Sequence, residues 1–282
     1  MTHGRALAMA LLSAVSVGAC GDEMNGSMVN TAEPMLDQIT SRQWERLAEE
    51  RIFFGHQSVG ENLMAGVQEI LAERPEIRLR VIETAEPSEM QGPGFYHAPV
   101  GRNGEPASKL TAFDGVVNSS IGESGTALLK YCYVDVDLNT DPNVLFEDYR
   151  RSMASLKARH PRLTVMHLTL PLQADAGTLR HVAAVVRGLP TGRQLNLIRY
   201  RYNELVRQTY GGREPIFDLA RFESIGPDGG MALVRHGRSR VPVLASAWTY
   251  DGGHLNEAGR RELAAAFLAT LAGIYGAGTS AP

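Results

Sequence analysis

Residues 51–73 read RIFFGHQSVGENLMAGVQEILAE, and a change of period inside this stretch decides the fold. Residues 51–55 form a short apolar run that suits a buried strand and stops at Gly55. From Ser58 onward Leu63, Val67, Ile70 and Leu71 recur at i, i+4, i+7 and i+8, the spacing of a helix laid on a core. A strand that turns at once into a helix is the opening step of an α/β domain. Ser58 stands at that turn, and two readings of it are open. It is either the helix N-cap, a place serine fills very often, or a nucleophile. At a helix N-terminus unpaired N–H groups favour negative charge, so Ser58 could attack a carbonyl while its own N–H holds the oxyanion.

Along the rest of the chain, alternation predicts strands over residues 77–82, 127–136, 163–170 and 215–219. Helices are predicted over 143–158 and about 194–209. A last helix with Leu263, Ala266, Phe267 and Leu271 on one face ends near Gly276. A Gly/Pro-rich stretch, 86–106, is longer than an ordinary connection and for that reason is a candidate functional loop. Residues 231–244 read as a hairpin around His236-Gly237-Arg238, and no internal repeat is present. Alternating strands and helices call for a parallel sheet covered on both faces, with ligands beyond the carboxyl ends of the strands.

The chain has 282 residues, 44% hydrophobic and 21% charged, with a net charge of -3. Lys and Arg are scattered, which argues against a nucleic-acid partner. Residues 1–20 carry one basic residue, Arg5, then an apolar stretch too short to span a bilayer comfortably. The run Val17-Gly18-Ala19-Cys20 resembles a bacterial lipoprotein signal, which implies a lipidated Cys20, export, and a lipid anchor in a cell membrane; an ordinary secretory signal with an incidental cysteine is the alternative. The expected organisation is a signal over 1–20, a tether over 21–40, one domain over 41–276 and a tail over 277–282. With Cys20 lipidated, Cys132 has no partner, and its apolar surroundings predict a buried, inert thiol.

Near the C-terminus the sequence Tyr250-Asp251-Gly252-Gly253-His254-Leu255-Asn256 precedes the last helix. Asp251 can fold back across two glycines to meet the His254 ring, fix its tautomer and stabilise the imidazolium formed when it takes a proton. A turn with a surface histidine is the plainer reading. A serine after the first strand and an Asp-x-x-His before the last helix resemble the SGNH (GDSL-type) hydrolase superfamily, over roughly residues 50–274 and most specifically at the two ends. The resemblance implies a flavodoxin-like three-layer α/β/α sandwich with a central, mostly parallel five-stranded sheet. It also implies a serine ester hydrolase in which Ser58 is the nucleophile, His254 the base and Asp251 its carboxylate, needing no cofactor or metal.

The chain departs from the family pattern. Gly55-His56-Gln57-Ser58 stands where Gly-Asp-Ser is usual. The oxyanion-hole glycine is expected at Gly104, with Asn103 beside it, and Ser58 supplies a further N–H. Where the family places an Asn after the third strand this chain has Asp135, and an ionised carboxylate cannot donate to an oxyanion. His56 is an alternative donor. Candidate pocket residues are His56, Gln57, His97, Asp135 and Trp248. His167 reads as a core histidine, Asp218 as a cap, and Arg199, Arg201 and Asn203 as a solvated helix face. The implied substrate is a small acyl ester on an envelope glycan or lipid. A non-catalytic surface lipoprotein that binds glycan or protein is the rival reading, and a phosphatase or phosphodiesterase a weaker third.

Overall fold

The computed structural model describes residues 32–122 and 124–276. The signal segment with Cys20, residues 21–31 of the expected tether, and the tail lie outside the described residues. In chain order the strands are β1 (Arg51–His56), β2 (Val81–Glu83), β3 (Gly94–Pro99), β4 (Gly125–Leu129), β5 (Leu163–Leu168), β6 (Ile216–Phe217), β7 (Leu233–His236) and β8 (Ser239–Pro242). The helices are α1 (Glu33–Asp37), α2 (Ser41–Ala48), α3 (Ser58–Glu73), α4 (Pro106–Val116), α5 (Pro142–Arg159), α6 (Thr178–Val186), α7 (Gly192–Tyr210), α8 (Leu219–Ser224) and α9 (Glu257–Gly273).

The central sheet has the order β2-β3-β1-β4-β5-β6, with every neighbouring pair parallel. Side chains alternate along β1, so Ile52 and Phe54 join one core and Phe53 the other. The first core lies under α1, α2, α3 and α9, the second under α4, α5 and α7. This is the expected three-layer α/β/α sandwich, with six strands in place of five. The chain leaves β1 toward β3 on one side and returns to β4 on the other, so the strand order reverses between β1 and β4. A crevice at the carboxyl ends of these two strands is where such a sheet takes its ligand.

Several segments differ from the sequence reading. The expected loop over 86–106 contains β3, a central strand: Phe95, Tyr96, His97 and Ala98 are buried between flanking glycines and prolines that disguise them. The predicted strand over 127–136 ends at Leu129, and in place of the one over 77–82 stands the three-residue β2, shifted to Val81–Glu83. The helices α4 and α6 were not anticipated by periodicity. The expected tether is packed from Ala32 onward, since Ala32 and Leu36 are buried and the Ala32 N–H donates to Glu262 Oε1 at 2.5 Å. The hairpin expected around residues 236–238 is the antiparallel β7/β8 pair.

Two expected pocket residues lie inside this frame. His56 and His97 are buried beneath the first turn of α3, with His56 Nε2 3.0 Å from His97 Nδ1. A Cβ on Gly60 would sit 2.3 Å from His56 Cβ, so the helix must present a glycine there. Burial first, then the neighbouring His97 and Lys130, push the His56 ring down to about 3, and burial likewise lowers His97. Both rings are therefore neutral when folded, whereas the unfolded chain protonates near 6.5. A depressed folded value means stability is complete above about pH 6.5 and is lost as pH falls toward 3. Urea midpoints measured between pH 7 and 4 should fall steeply, and His56→Gln should flatten that slope; an unchanged slope would show that the pair takes up protons freely in the folded state.

Candidate active site

One residue, Gln57, separates β1 from α3. Its extended backbone (φ -152°, ψ 179°) makes it the N-cap, and its side chain caps nothing. The Gln57 amide instead donates to the Val100 and Gly101 carbonyls at 3.1 and 3.0 Å, bracing the end of β3 rather than lining a pocket. Ser58 is thus the first residue of the helix and not its cap. It is half-buried, at the end where the unpaired N–H groups of α3 converge.

The Asp251 loop is closed on itself. Asp251 Oδ2 accepts from His254 Nδ1 at 2.7 Å, and Oδ1 accepts from the Gly253 and His254 N–H groups at 2.8 Å each. Gly252 takes a left-handed φ of +91°, which only glycine adopts without strain. Thr249 Oγ1 donates to the His254 carbonyl and accepts from the Gly252 N–H. Burial raises the Asp251 carboxyl, but the bonds from the His254 ring and the two backbone groups outweigh it and bring it down to about 2. Asp251 is therefore ionised at any working pH. Because ionised Asp251 accepts a hydrogen bond from Nδ1–H, the ring's free lone pair sits on Nε2, which faces Tyr133 Oη at a loose 3.4 Å.

Two contacts set this loop in place, one on α3 and one on Tyr133. The Leu255 N–H donates to Asn62 Oδ1 at 3.1 Å, and Asn62 stands one turn along α3 from Ser58. On the other side the Tyr133 ring meets His254 edge-on, and a Cβ on Gly253 would lie 2.9 Å from that ring. Gly252 is thus required by its backbone, while a side chain at Gly253 would push the Tyr133 ring away from His254. Tyr133 follows β4, so the site draws on the ends of β1 and β4, the two strands at the reversal.

Behind Tyr133 lies a group that the sequence reading assigned to solvent. Arg199 is 1% exposed and donates to the Tyr133 carbonyl, Asn196 Oδ1 and Gln173 Oε1. Asn203 is also buried, with its amide on the backbone of Leu170. Burial lowers Arg199 to about 10, and burial raises Glu223, whose carboxyl accepts from the Leu172 N–H, to about 8. The signal was in the spacing. Asn196, Arg199 and Asn203 share the face of Tyr202, Val206 and Tyr210, a polar stripe on a buried side.

Three further expectations change. The Gly104 N–H is not free for an oxyanion, because it donates to Asp135 Oδ1 at 2.8 Å. Asp135 is no pocket residue: it forms a fully buried ion pair with Lys109 at 2.6 Å and also accepts from the Cys132 N–H. Lys109 reaches Asn103 Oδ1 at 3.0 Å, which leaves Nδ2 as the outer end of that exposed amide. Trp248 is core, with its indole N–H on the Ile225 carbonyl at 2.6 Å. His167 is buried against Tyr149 and Glu214, Asp218 caps α8, and Cys132 is a buried free thiol, as the sequence suggests. A cavity of about 550 Å³ with a mixed polar and apolar lining opens beside Asp251, bordered among others by Gln173, Arg180, Leu195, Thr249 and Tyr250.

No family model matches the chain, and no curated protein sequence matches it. Solved structures do resemble it. A lipase/acylhydrolase from Enterococcus faecalis shares 13% identity at a TM-score of 0.47, covering 80% of this chain and 96% of that one. The periplasmic domain of a lipopolysaccharide acetyltransferase from Salmonella ser. Paratyphi A shares 13% at 0.44, covering 77% and 81%. The OSK domain of Drosophila Oskar shares 13% at 0.41, covering 85% and 95%.

Proposed function

We propose that this chain is a serine-dependent acyl-ester hydrolase of the SGNH type, with Ser58 as nucleophile, His254 as general base and Asp251 as the carboxylate that orients it. The observation that carries this reading is the Asp251/His254 pair, closed at 2.7 Å and tied through Asn62 to the helix that Ser58 opens. Ser58 Oγ attacks the acyl carbon while Nε2 of His254 takes its proton. The imidazolium, held by ionised Asp251, then returns that proton to the departing alkoxide. Water attacks the acyl-enzyme by the same route in reverse, with His254 again as base.

The oxyanion would rest on the Ser58 N–H and Asn103 Nδ2. Lys109 supports this role for Asn103 by holding the other end of its amide, while the Gly104 N–H is committed to Asp135. The substrate class we favour, an acyl ester on an envelope glycan or lipid, follows from the resemblance, and the cavity of mixed lining beside Asp251 has room for it. A lipid anchor at Cys20 would hold the enzyme at a cell membrane. The commitment of Gly104 favours one rival, a non-catalytic binding lipoprotein, because it leaves the reacting centre with fewer donors.

A fluorophosphonate probe decides between them. The folded protein should label once, and Ser58→Ala should abolish labelling; no labelling of the parent, or labelling that survives Ser58→Ala, sinks the nucleophile assignment. Asp251→Asn should lower kcat on a short acyl ester by about 10²- to 10⁴-fold with little change in KM, because the ring loses its anchored tautomer. A drop of less than about threefold would remove Asp251 from the reaction.

A further inference from the structure

The helix α6 breaks the rule by which the rest of the domain is built. None of its residues is buried. Leu179 is 87% exposed and Val186 80%, and Val182, Val185 and, just past the helix, Leu189 are each more than half exposed. Single exposed aliphatic residues are ordinary on protein surfaces, but a contiguous apolar stripe is not. Here Leu179, Val182 and Val186 recur at i, i+3 and i+7 on the outer face, while His181 and Ala184 turn toward the protein. Glycines with positive φ stand at both ends, Gly177 at +85° and Gly188 at +65°, so the helix is set off as its own unit. Arg193 grips Asp175 with two bonds of 2.8 Å across the base of the segment and fixes where it leaves the domain.

The charge on this segment is of one sign. Between Asp175 and Glu204 there is no acidic residue, and Arg180 and Arg187 flank the apolar stripe. A short helix with an aliphatic face and an arginine border matches the headgroup region of an anionic bilayer better than it matches another protein surface. Tyr250, 70% exposed, shares the cavity beside Asp251 with Arg180, so α6 borders the mouth of the candidate site. The length of chain before Ala32 agrees with this. If Cys20 is acylated, residues 21–31 span at most ~40 Å, which keeps the domain within reach of the surface.

We propose that α6 is a membrane-docking helix, whose Leu179, Val182 and Val186 stripe seats in the headgroup region of an anionic bilayer and turns the cavity beside Asp251 toward that surface. The inference does not depend on the catalytic role of Ser58, and its test reads no activity.

The test uses the full chain with Cys20→Ser, so that no acyl anchor forms, and with Val186→Cys carrying an environment-sensitive NBD label. Cys132 is buried and stays unlabelled in the folded protein. Vesicles containing phosphatidylglycerol should shift the emission to the blue, and high salt should reverse the shift. Phosphatidylcholine vesicles should leave it unchanged. Arg180→Gln with Arg187→Gln should weaken partitioning about tenfold or more, and Leu179→Gln with Val182→Gln should abolish the shift. Vesicle binding with an unshifted label would place all membrane affinity in the leader and overturn the proposal. So would equal shifts on both lipids, or a shift without lipid that grows with protein concentration, which would make a second copy the occupant.

Discussion

The turn between β1 and α3 is a single residue long, and the carboxyl edge of the sheet is organised around it. With only Gln57 between them, the helix must start directly at the carboxyl end of β1, which fixes Ser58 at the N-terminal mouth of α3. Three side chains keep that turn rigid. Gln57 ties it to the end of β3, His56 fills the space that Gly60 leaves under the helix, and Asn62 receives the chain that brings His254. A longer connection would let α3 slide, and Ser58 and His254 would lose their common reference.

The protein also buries charge beneath this edge of the sheet. The Lys109/Asp135 pair has no exposure, yet it satisfies the Gly104 and Cys132 N–H groups and positions Asn103. Removing one partner from such a pair strands the other in a low dielectric and costs about 3–5 kcal/mol. Arg199 plays a parallel part behind Tyr133, where its guanidinium collects a backbone carbonyl and two side-chain amides. In both places a buried cation organises the backbone that carries a candidate site residue.

The sequence exposes the elements whose signal is local. The α3 helix is legible to the residue, because its apolar spacing is regular and the strand before it is plainly hydrophobic. The Asp251/His254 pair is legible for the same reason, its partners being three residues apart. What stays hidden depends on distant neighbours. The β3 strand is wrapped in glycine and proline, and only pairing with β1 and β2 makes a strand of it. The buried side of α7 is polar because it answers the backbone of residues 170–173, which no window on α7 contains. The site shows the same division. Ser58 and His254 can be named from their flanks, whereas the fate of Gly104 turns on Asp135, thirty-one residues away.

The Asp251 loop has a consequence for how this protein can vary. Its carboxylate is satisfied within four consecutive residues, by two backbone N–H groups and the ring it orients, and Thr249 seals the turn from the same segment. The His254 ring is therefore oriented by its own segment. Only two contacts from outside the segment place the imidazole against the rest of the domain, Asn62 on the backbone of Leu255 and the Tyr133 ring. The orientation of the imidazole is thereby uncoupled from the chemistry of the loops that do not touch it.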